Sequence, residues 1–246
     1  MAAKGKKRSG LSEAEKRSVL AGMALLRGVS SAEVARLARA CEWHDYARGA
    51  VIIGQGSPAR DVMFVVKGRV RIVIFATNGR DVSFRDLEPG ANFGDLALID
   101  GEMRSASTVA RTQTTVAQLP RAEFWRLLRS EPAAVDNLLG QLVRLIRGLT
   151  ERVLDFSTLG VPSRVQGELV RMAREQGWNG QRGRFAIHPV PRNNEIASRI
   201  STNREAVART IAAMTRARLI KRQRGGTVIL NDVAKLAQMV EDARDL

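Results

Sequence analysis

The chain has 246 residues, 44% of them hydrophobic, and a formal net charge of +15 at pH 7. That length allows one to two domains with real cores, and that charge points to an anionic partner: nucleic acid, a phosphorylated ligand or a membrane surface. The single cysteine, Cys41, excludes an intrachain disulfide framework and a four-cysteine iron–sulfur cluster, and two histidines, His44 and His188, are too few for a convincing metal site, so no metal is expected.

The N-terminal MAAKGKKRSG has no apolar stretch behind it, so no secretory signal is expected there. No apolar run approaches the ~18 residues of a membrane span, so a soluble, cytoplasmic protein with no membrane partner is expected. Lys4, Lys6, Lys7 and Arg8 read as a disordered basic tail. Residues 12–40 read as helical, with Leu20, Met23 and Leu26 at helical spacing and Ser30 or Ser31 as the cap of a second short helix. From Arg48 to about Leu119, short β-rich runs (51–53, 62–66, 70–75, 82–84, 114–119) alternate with glycines, which predicts a small barrel or roll. Asn78-Gly79 is a hairpin turn signal.

Within that region, Phe93 to Thr108 carries the densest chemistry. Gly94 and Asp95 open it, one apolar turn follows, the chain bends at Asp100-Gly101, and Arg104-Ser105-Ala106 closes it. A carboxylate accepts from ribose hydroxyls, a guanidinium grips phosphate oxygens with a rigid fork, and small neighbours and a short helix N-terminus let backbone N–H groups approach an anion. The pattern predicts a pocket for a phosphorylated sugar.

Residues 121–155 read as helical with a break at Pro132. Val135, Leu139, Leu142, Ile146, Leu149, Val153 and Phe156 then alternate steps of four and three, an a/d seam over three heptads. A dimer coiled coil and a helix packed within its own domain both produce such a stripe, and the charged flanks favour the dimer. Residues 158–162 read as a hinge, followed by a helix capped by Ser163. From Val161 onward, sixteen Lys/Arg stand against eight Asp/Glu. Two short helices, 193–200 and 203–218, are separated by Ser201-Thr202-Asn203, the spacing of a helix-turn-helix. Ala197, Ile200, Val207 and Ile211 would pack inside it, while Arg204, Glu205 and Arg209 project from one face near the N-terminus of the second helix, where bases are read. Arginine can bond guanine O6 and N7 together, and glutamate can accept from cytosine N4. A hairpin over 219–230 with Gly225-Gly226 at its turn would bring Lys221, Arg222 and Arg224 to phosphates as a wing. A last helix is expected over 233–244.

In this order the parts resemble the bacterial CRP/FNR family of transcription regulators across nearly the whole chain. Gly49, Gly56, Gly68, Gly90 and Gly94 stand at the roll's characteristic glycines, and Arg204-Glu205-x-x-x-Arg209 matches the reading helix. The resemblance implies an α+β fold: a cyclic-nucleotide-binding β-roll over 16–132 behind a tail over 1–15, a dimerisation helix over 133–158, and a winged helix-turn-helix DNA-binding domain over 159–246. It implies that Gly94, Asp95, Leu96, Arg104, Ser105 and Ala106 hold a cyclic mononucleotide, cAMP or cGMP, as effector. Arg104 and Ser105 fall on the phosphate ligands, and Asp95 replaces the family's ribose-binding glutamate. Leu149 and Thr150 fall on the helix residues that meet the base. Arg204, Glu205 and Arg209, with Thr202, Asn203 and Arg222 beside them, would bind a palindromic TGTGA-like site on double-stranded DNA. A second copy, through residues 135–156, and RNA polymerase are the implied protein partners. In the turn, Ser201 stands where glycine is common and Asn203 where serine is common.

Asp95 and Leu149 keep open a regulator that binds DNA constitutively or with another effector. A regulatory subunit of an enzyme or channel is disfavoured by the helix-turn-helix. An enzyme is not expected: Asp61, Asp100 and Glu102 are available carboxylates, but no nucleophile–base pairing or metal-ligand spacing accompanies them.

Overall fold

The computed structural model describes residues 5–7, 11–75, 81–223 and 225–245, with the side chains of Asp81 and Val82 set aside. Lys4, Arg8, the Asn78-Gly79 turn and Arg224 lie outside the described residues. The chain divides into two units, Met1–Leu145 and Ile146–Leu246.

The first unit runs β1 (Lys6–Lys7), α1 (Glu13–Ala21), a 3-10 turn (Ala24–Leu26), α2 (Ser31–Ala40), β2 (Glu42–Tyr46), β3 (Val51–Ile53), β4 (Asp61–Lys67), β5 (Val70–Phe75), β6 (Asp81–Leu87), β7 (Asn92–Phe93), α3 (Leu96–Ile99), β8 (Ser107–Ala110), β9 (Thr114–Pro120) and α4 (Arg121–Ser130). Its strands form two sheets of order β1-β2-β9-β4-β7 and β3-β8-β5-β6. Period-two alternation divides the strand side chains between two cores. On β4, Val62 and Phe64 join the helices around Leu20, Leu25, Leu37, Phe124 and Leu127. Met63 and Val65 face the opposite way, into the roll, with Ile53, Val70, Leu87, Phe93 and Val116. Four strands were not foreseen: β1, β2, β7 and β8. Lys6 and Lys7, expected in a disordered tail, instead pair with His44 and Asp45 on the edge of β2, and residues 13–15 already belong to α1, which Ser12 caps by accepting from Glu15 N–H at 3.2 Å. Ser30, not Ser31, caps α2.

The long helix α5 (Pro132–Thr158) crosses from the first unit to the second. The predicted seam lies along it. Leu139, Ile146, Leu149, Val153 and Phe156 are exposed in the single chain, Ile146 by 61% and Val153 by 64%. Leu142 differs, because it packs against the N-terminal core. No helix among the described residues is long and apolar enough to cross a membrane.

The second unit continues with α6 (Val161–Glu175), β10 (Phe185–Ile187), α7 (Asn193–Arg199), α8 (Arg204–Arg216), β11 (Ile220–Gln223), β12 (Thr227–Leu230) and α9 (Val233–Arg244). Gly160, rather than Ser163, is the N-cap of α6, because Pro162 occupies its first turn. A strand unforeseen in the sequence, β10, adds to β12 opposite β11. Val165, Leu169, Ile196, Ala197, Ile200, Val207, Ile211 and Leu230 share one core.

A buried ion network borders that core. Asp155 near the end of α5 accepts from Arg171 Nη2 at 3.1 Å and from Arg244 Nη2 at 2.6 Å. Glu168, 1% exposed, accepts from Arg199 Nη1 at 3.0 Å and also from Arg171. Helices α5, α6, α7 and α9 are thereby joined through charge as well as packing. Removing one member of a buried pair leaves the other uncompensated, which costs about 3–5 kcal/mol. Glu168→Ala is therefore expected to lower the urea-unfolding free energy by about that amount; a loss below about 1 kcal/mol, the range of exposed pairs, would show that the pair is not desolvated.

Candidate nucleotide pocket and nucleic-acid interface

The pocket is built from strand parity. Asp61 shares the inward parity of Met63 on β4, and Gln118 shares that of Val116 on β9, where it stands opposite Met63. Gln118 Nε2 therefore reaches Asp61 Oδ2. Asp61 in turn fixes Arg104: its carboxylate Oδ1 and its backbone carbonyl both accept from Arg104 Nη2 at 2.8 Å. Arg104 Nη1 donates to the Gly94 carbonyl. The backbone of Arg104 is clamped as well, donating to Ser57 O at 3.0 Å and accepting from Gly56 N–H at 2.8 Å. The Arg104 side chain is 5% exposed. Burial lowers its pKa from the ordinary value, and the carboxylates of Asp61 and Asp95 act against that.

Gly94 is required twice over. Its φ is +83°, and a Cβ there would stand 2.5 Å from Arg104 Nη1 and 3.1 Å from Ile53 Cδ1. Asp95 follows at the N-cap of α3, but its side chain makes no cap. It is buried, and that burial raises its pKa. The N–H groups of Asp95 and Leu96 and the charges of Arg85 and Arg104 favour the ionised form. Helix α3 is a single turn, less than the sequence reading asked of its dipole. Asp100 Oδ1 accepts from Glu102 N–H at 2.9 Å and closes the bend after it. Leu96 and Ser105 are exposed and Ala106 is half-buried. The structure thus brings Gly94, Asp95 and Arg104 together at one buried place. Asp61 and Gln118 complete it through hydrogen bonds, and the charge of Arg85 acts on Asp95; of these three the sequence singles out Asp61 alone, as an unassigned carboxylate.

Leu149 and Thr150 belong to the second unit. Leu149 lies on the exposed seam. Thr150 Oγ1 donates to Ile146 O at 3.0 Å, so its hydroxyl proton is committed and its lone pairs alone remain.

The second constellation is the face of α8. Val207, Thr210, Ile211 and Met214 are buried, while Arg204, Glu205, Ala208 and Arg209 are exposed on the other side. Arg204, Glu205 and Arg209 make no ion pair among the described residues. Asn203 lies just outside the helix as its N-cap, accepting from Ala206 N–H at 2.8 Å, so its side-chain oxygen serves the helix itself. Thr202 is half-buried beside it. Arg222 is exposed on β11, and Gly225 and Gly226, with φ of +83° and +80°, form the turn to β12.

Residues 43–131 match the cyclic nucleotide-binding domain family, and residues 163–239 match the Crp-like helix-turn-helix domain family. The chain is 28% identical to the cyclic AMP receptor protein of Thermus thermophilus, over 89% of this chain and 97% of that one. At 25% identity, with the same shares covered, it is similar to a CRP-like cAMP-activated global transcriptional regulator of Mycobacterium tuberculosis. A solved structure of a CooA mutant from Carboxydothermus hydrogenoformans matches with a TM-score of 0.74, covering 96% of this chain and 98% of that one at 19% identity, a likeness of fold.

Gly94→Ala tests the packing at the pocket. A side chain held in the left-handed region costs about 1–2 kcal/mol, and the new methyl group must move Arg104. The urea-unfolding free energy is expected to fall by about that amount; an unchanged value would mean that the loop relaxes freely.

Proposed function

The chain belongs to the CRP/FNR family of transcription regulators, and from that premise we propose that it is a homodimer whose binding to a palindromic TGTGA-like site is controlled by a cyclic mononucleotide. DNA binding and a cyclic nucleotide-binding domain come with the family, whose members are regulators and not enzymes. The observation that carries the effector reading is the convergence of Gly94, Asp95 and Arg104 at one buried place in the roll.

In this reading the cyclic phosphate docks on Arg104, with Ser105 and the N–H groups near Ala106 and Leu96 around it. Arg104 is preorganised: Asp61 and Gly94 O hold its fork before any ligand arrives, so little side-chain entropy is lost on binding. Asp95, left free of capping duty, accepts from a ribose hydroxyl. Leu149 and Thr150 take the base side from the helix, with Thr150 as acceptor. Two relatives are described as activated by or receptors for cAMP, which makes cAMP and cGMP the ligands to test. To swing from 1:99 to 99:1 the nucleotide must bind the DNA-competent state more tightly by roughly 5.5 kcal/mol.

On DNA, Arg204, Glu205 and Arg209 read base edges, and Thr202 and Arg222 contact phosphates. The exposed seam of Leu139, Ile146, Leu149, Val153 and Phe156 is covered by the same seam of a second copy, since a C2 interface is self-complementary. RNA polymerase is the further partner, and the cytoplasm the site of action.

A gel-shift on a TGTGA palindrome with no ligand, cAMP or cGMP tests the switch. Retardation is expected with nucleotide only, and Arg104→Ala is expected to remove the dependence; equal binding with and without ligand would favour the constitutive alternative. Arg204→Ala is expected to cost about 1–3 kcal/mol at one base position and to relax specificity there. A uniform loss across sequences would assign it to phosphate instead. Ile146→Glu with Val153→Glu is expected to give monomers in analytical ultracentrifugation; an unchanged dimer would refute the seam. Leu142 is a poor probe because it also serves the N-terminal core.

A further inference from the structure

Between α6 and α8, within the second unit, lies a cleft of about 500 Å³, inside the ~300–1,000 Å³ range of sites that hold small molecules. Its walls are Pro162 on α6, Ala206, Ala213 and Ala217 along α8, and Leu219 just beyond that helix. The sequence explains why the space is unfilled. Protein interiors normally close such gaps with interdigitating side chains. Here three positions on one side of α8 are alanine, and a methyl group leaves the space beside it open. From Ala206 to Ala217 the chain rises ~16 Å along the helix axis, so the cleft is long as well as apolar.

The polar groups in the lining decide what fits. Arg209 and Gln166 both border the cleft, and neither the guanidinium nor the amide has a hydrogen-bond or ion-pair partner among the described residues. Thr210 also borders it, but its hydroxyl donates to Ala206 O at 2.9 Å, so that proton is spent on the helix. No Asp or Glu lines the cleft. It therefore offers apolar walls, one unpaired cation and a free amide, with no anion to neutralise the cation. The complement is an apolar chain ending in a carboxylate, which a guanidinium meets with two parallel N–H donors. Removal of the chain from water supplies the affinity, and the charge pair supplies the selectivity.

Arg209 is also one of the side chains that α8 presents to DNA. Its fork cannot hold a ligand carboxylate and a base edge at once, and a carboxylate beside it repels the phosphate backbone. We propose that this cleft binds a small molecule with an apolar chain and one carboxylate, of the fatty-acid class, and that such a ligand excludes DNA by occupying Arg209. Binding stands on the cleft alone, whereas exclusion of DNA rests on the reading of α8 as the DNA-reading helix.

Calorimetry on the full chain with decanoate and with decanol tests the cleft. Decanoate is expected to bind about three- to fivefold more tightly, the contribution of one exposed ion pair. Arg209→Gln is expected to remove that difference and leave decanol binding as it was. Ala213 is exposed, so Ala213→Leu fills the cleft without entering the core, and is expected to abolish binding of both. In a gel-shift on the TGTGA palindrome with cyclic nucleotide present, decanoate is expected to release the native chain. Ala213→Leu is expected to keep its DNA binding and lose that sensitivity, a pattern that misfolding cannot produce. No binding of decanoate, binding untouched by Ala213→Leu, or equal affinity for decanol would overturn the assignment of the cleft. A weaker dimer for Ala213→Leu in analytical ultracentrifugation would mean that a second copy covers the cleft, and would overturn it as well. If decanoate binds but releases no DNA, the exclusion is wrong; if the native chain binds no DNA at all, the reading of α8 fails while calorimetry still decides the cleft.

Discussion

A guanidinium drawn into a β-roll loses several kcal/mol of hydration unless its inward N–H groups find acceptors. Arg104 meets that demand with two oxygens of Asp61 and the carbonyl of Gly94, and much of the roll follows from it. A side chain at position 94 would displace the guanidinium, because a Cβ there stands 2.5 Å from Arg104 Nη1. Residue 61 must be both acidic and inward, and Gln118 must stand on the adjoining strand to hold the second carboxylate oxygen. The backbone on either side of the arginine is pinned to the loop over 54–57. A cation arranged in this way is rigid before it meets a ligand, which is what recognition of a small anion requires.

The second unit solves a different problem with related chemistry. Its apolar core sets the distance between α6, α7 and α8, but apolar contacts are non-directional. The chain of Arg244, Asp155, Arg171, Glu168 and Arg199 adds direction. Asp155 stands before the break at Leu159-Gly160, and Glu168 and Arg171 stand after it. The last turns of α5 are thereby built into the DNA-reading unit across a gap that, from sequence, looks like a free hinge.

Elements with unbroken apolar or periodic signals were readable from the sequence: β4 and β5 as β-branched runs, α5 by its heptads, α8 and α9 by their stripes. β2 was not, because Glu42, His44 and Asp45 interrupt its only two core residues, Trp43 and Tyr46. β7 has two residues and exists only through its pairing with β4. In the pocket, Gly94, Asp95 and Arg104 were legible because one contiguous segment carries them. Asp61, Gln118 and Arg85 come from three strands distant in sequence, and their meeting depends on register and on which face is inward. A one-residue slip would reverse both. The lysines at 6 and 7 misled for the opposite reason: their composition is that of a tail, but the exposed edge of β2 offers backbone partners indifferent to side-chain charge.

One residue in the helix-turn-helix departs from local preference. Ser201, in the turn before α8, has φ of +51°, where a residue with a Cβ carries strain of about 1–3 kcal/mol. Such a conformation persists only where its surroundings over-determine it, and here Ile200 is buried just before it and Val207 soon after. The shape of the turn is therefore borrowed from the core beneath it. The orientation of α8 has no local reserve of its own, and any loosening of that core by heat, mild denaturant or a trimmed methyl group reaches the turn and α8 directly.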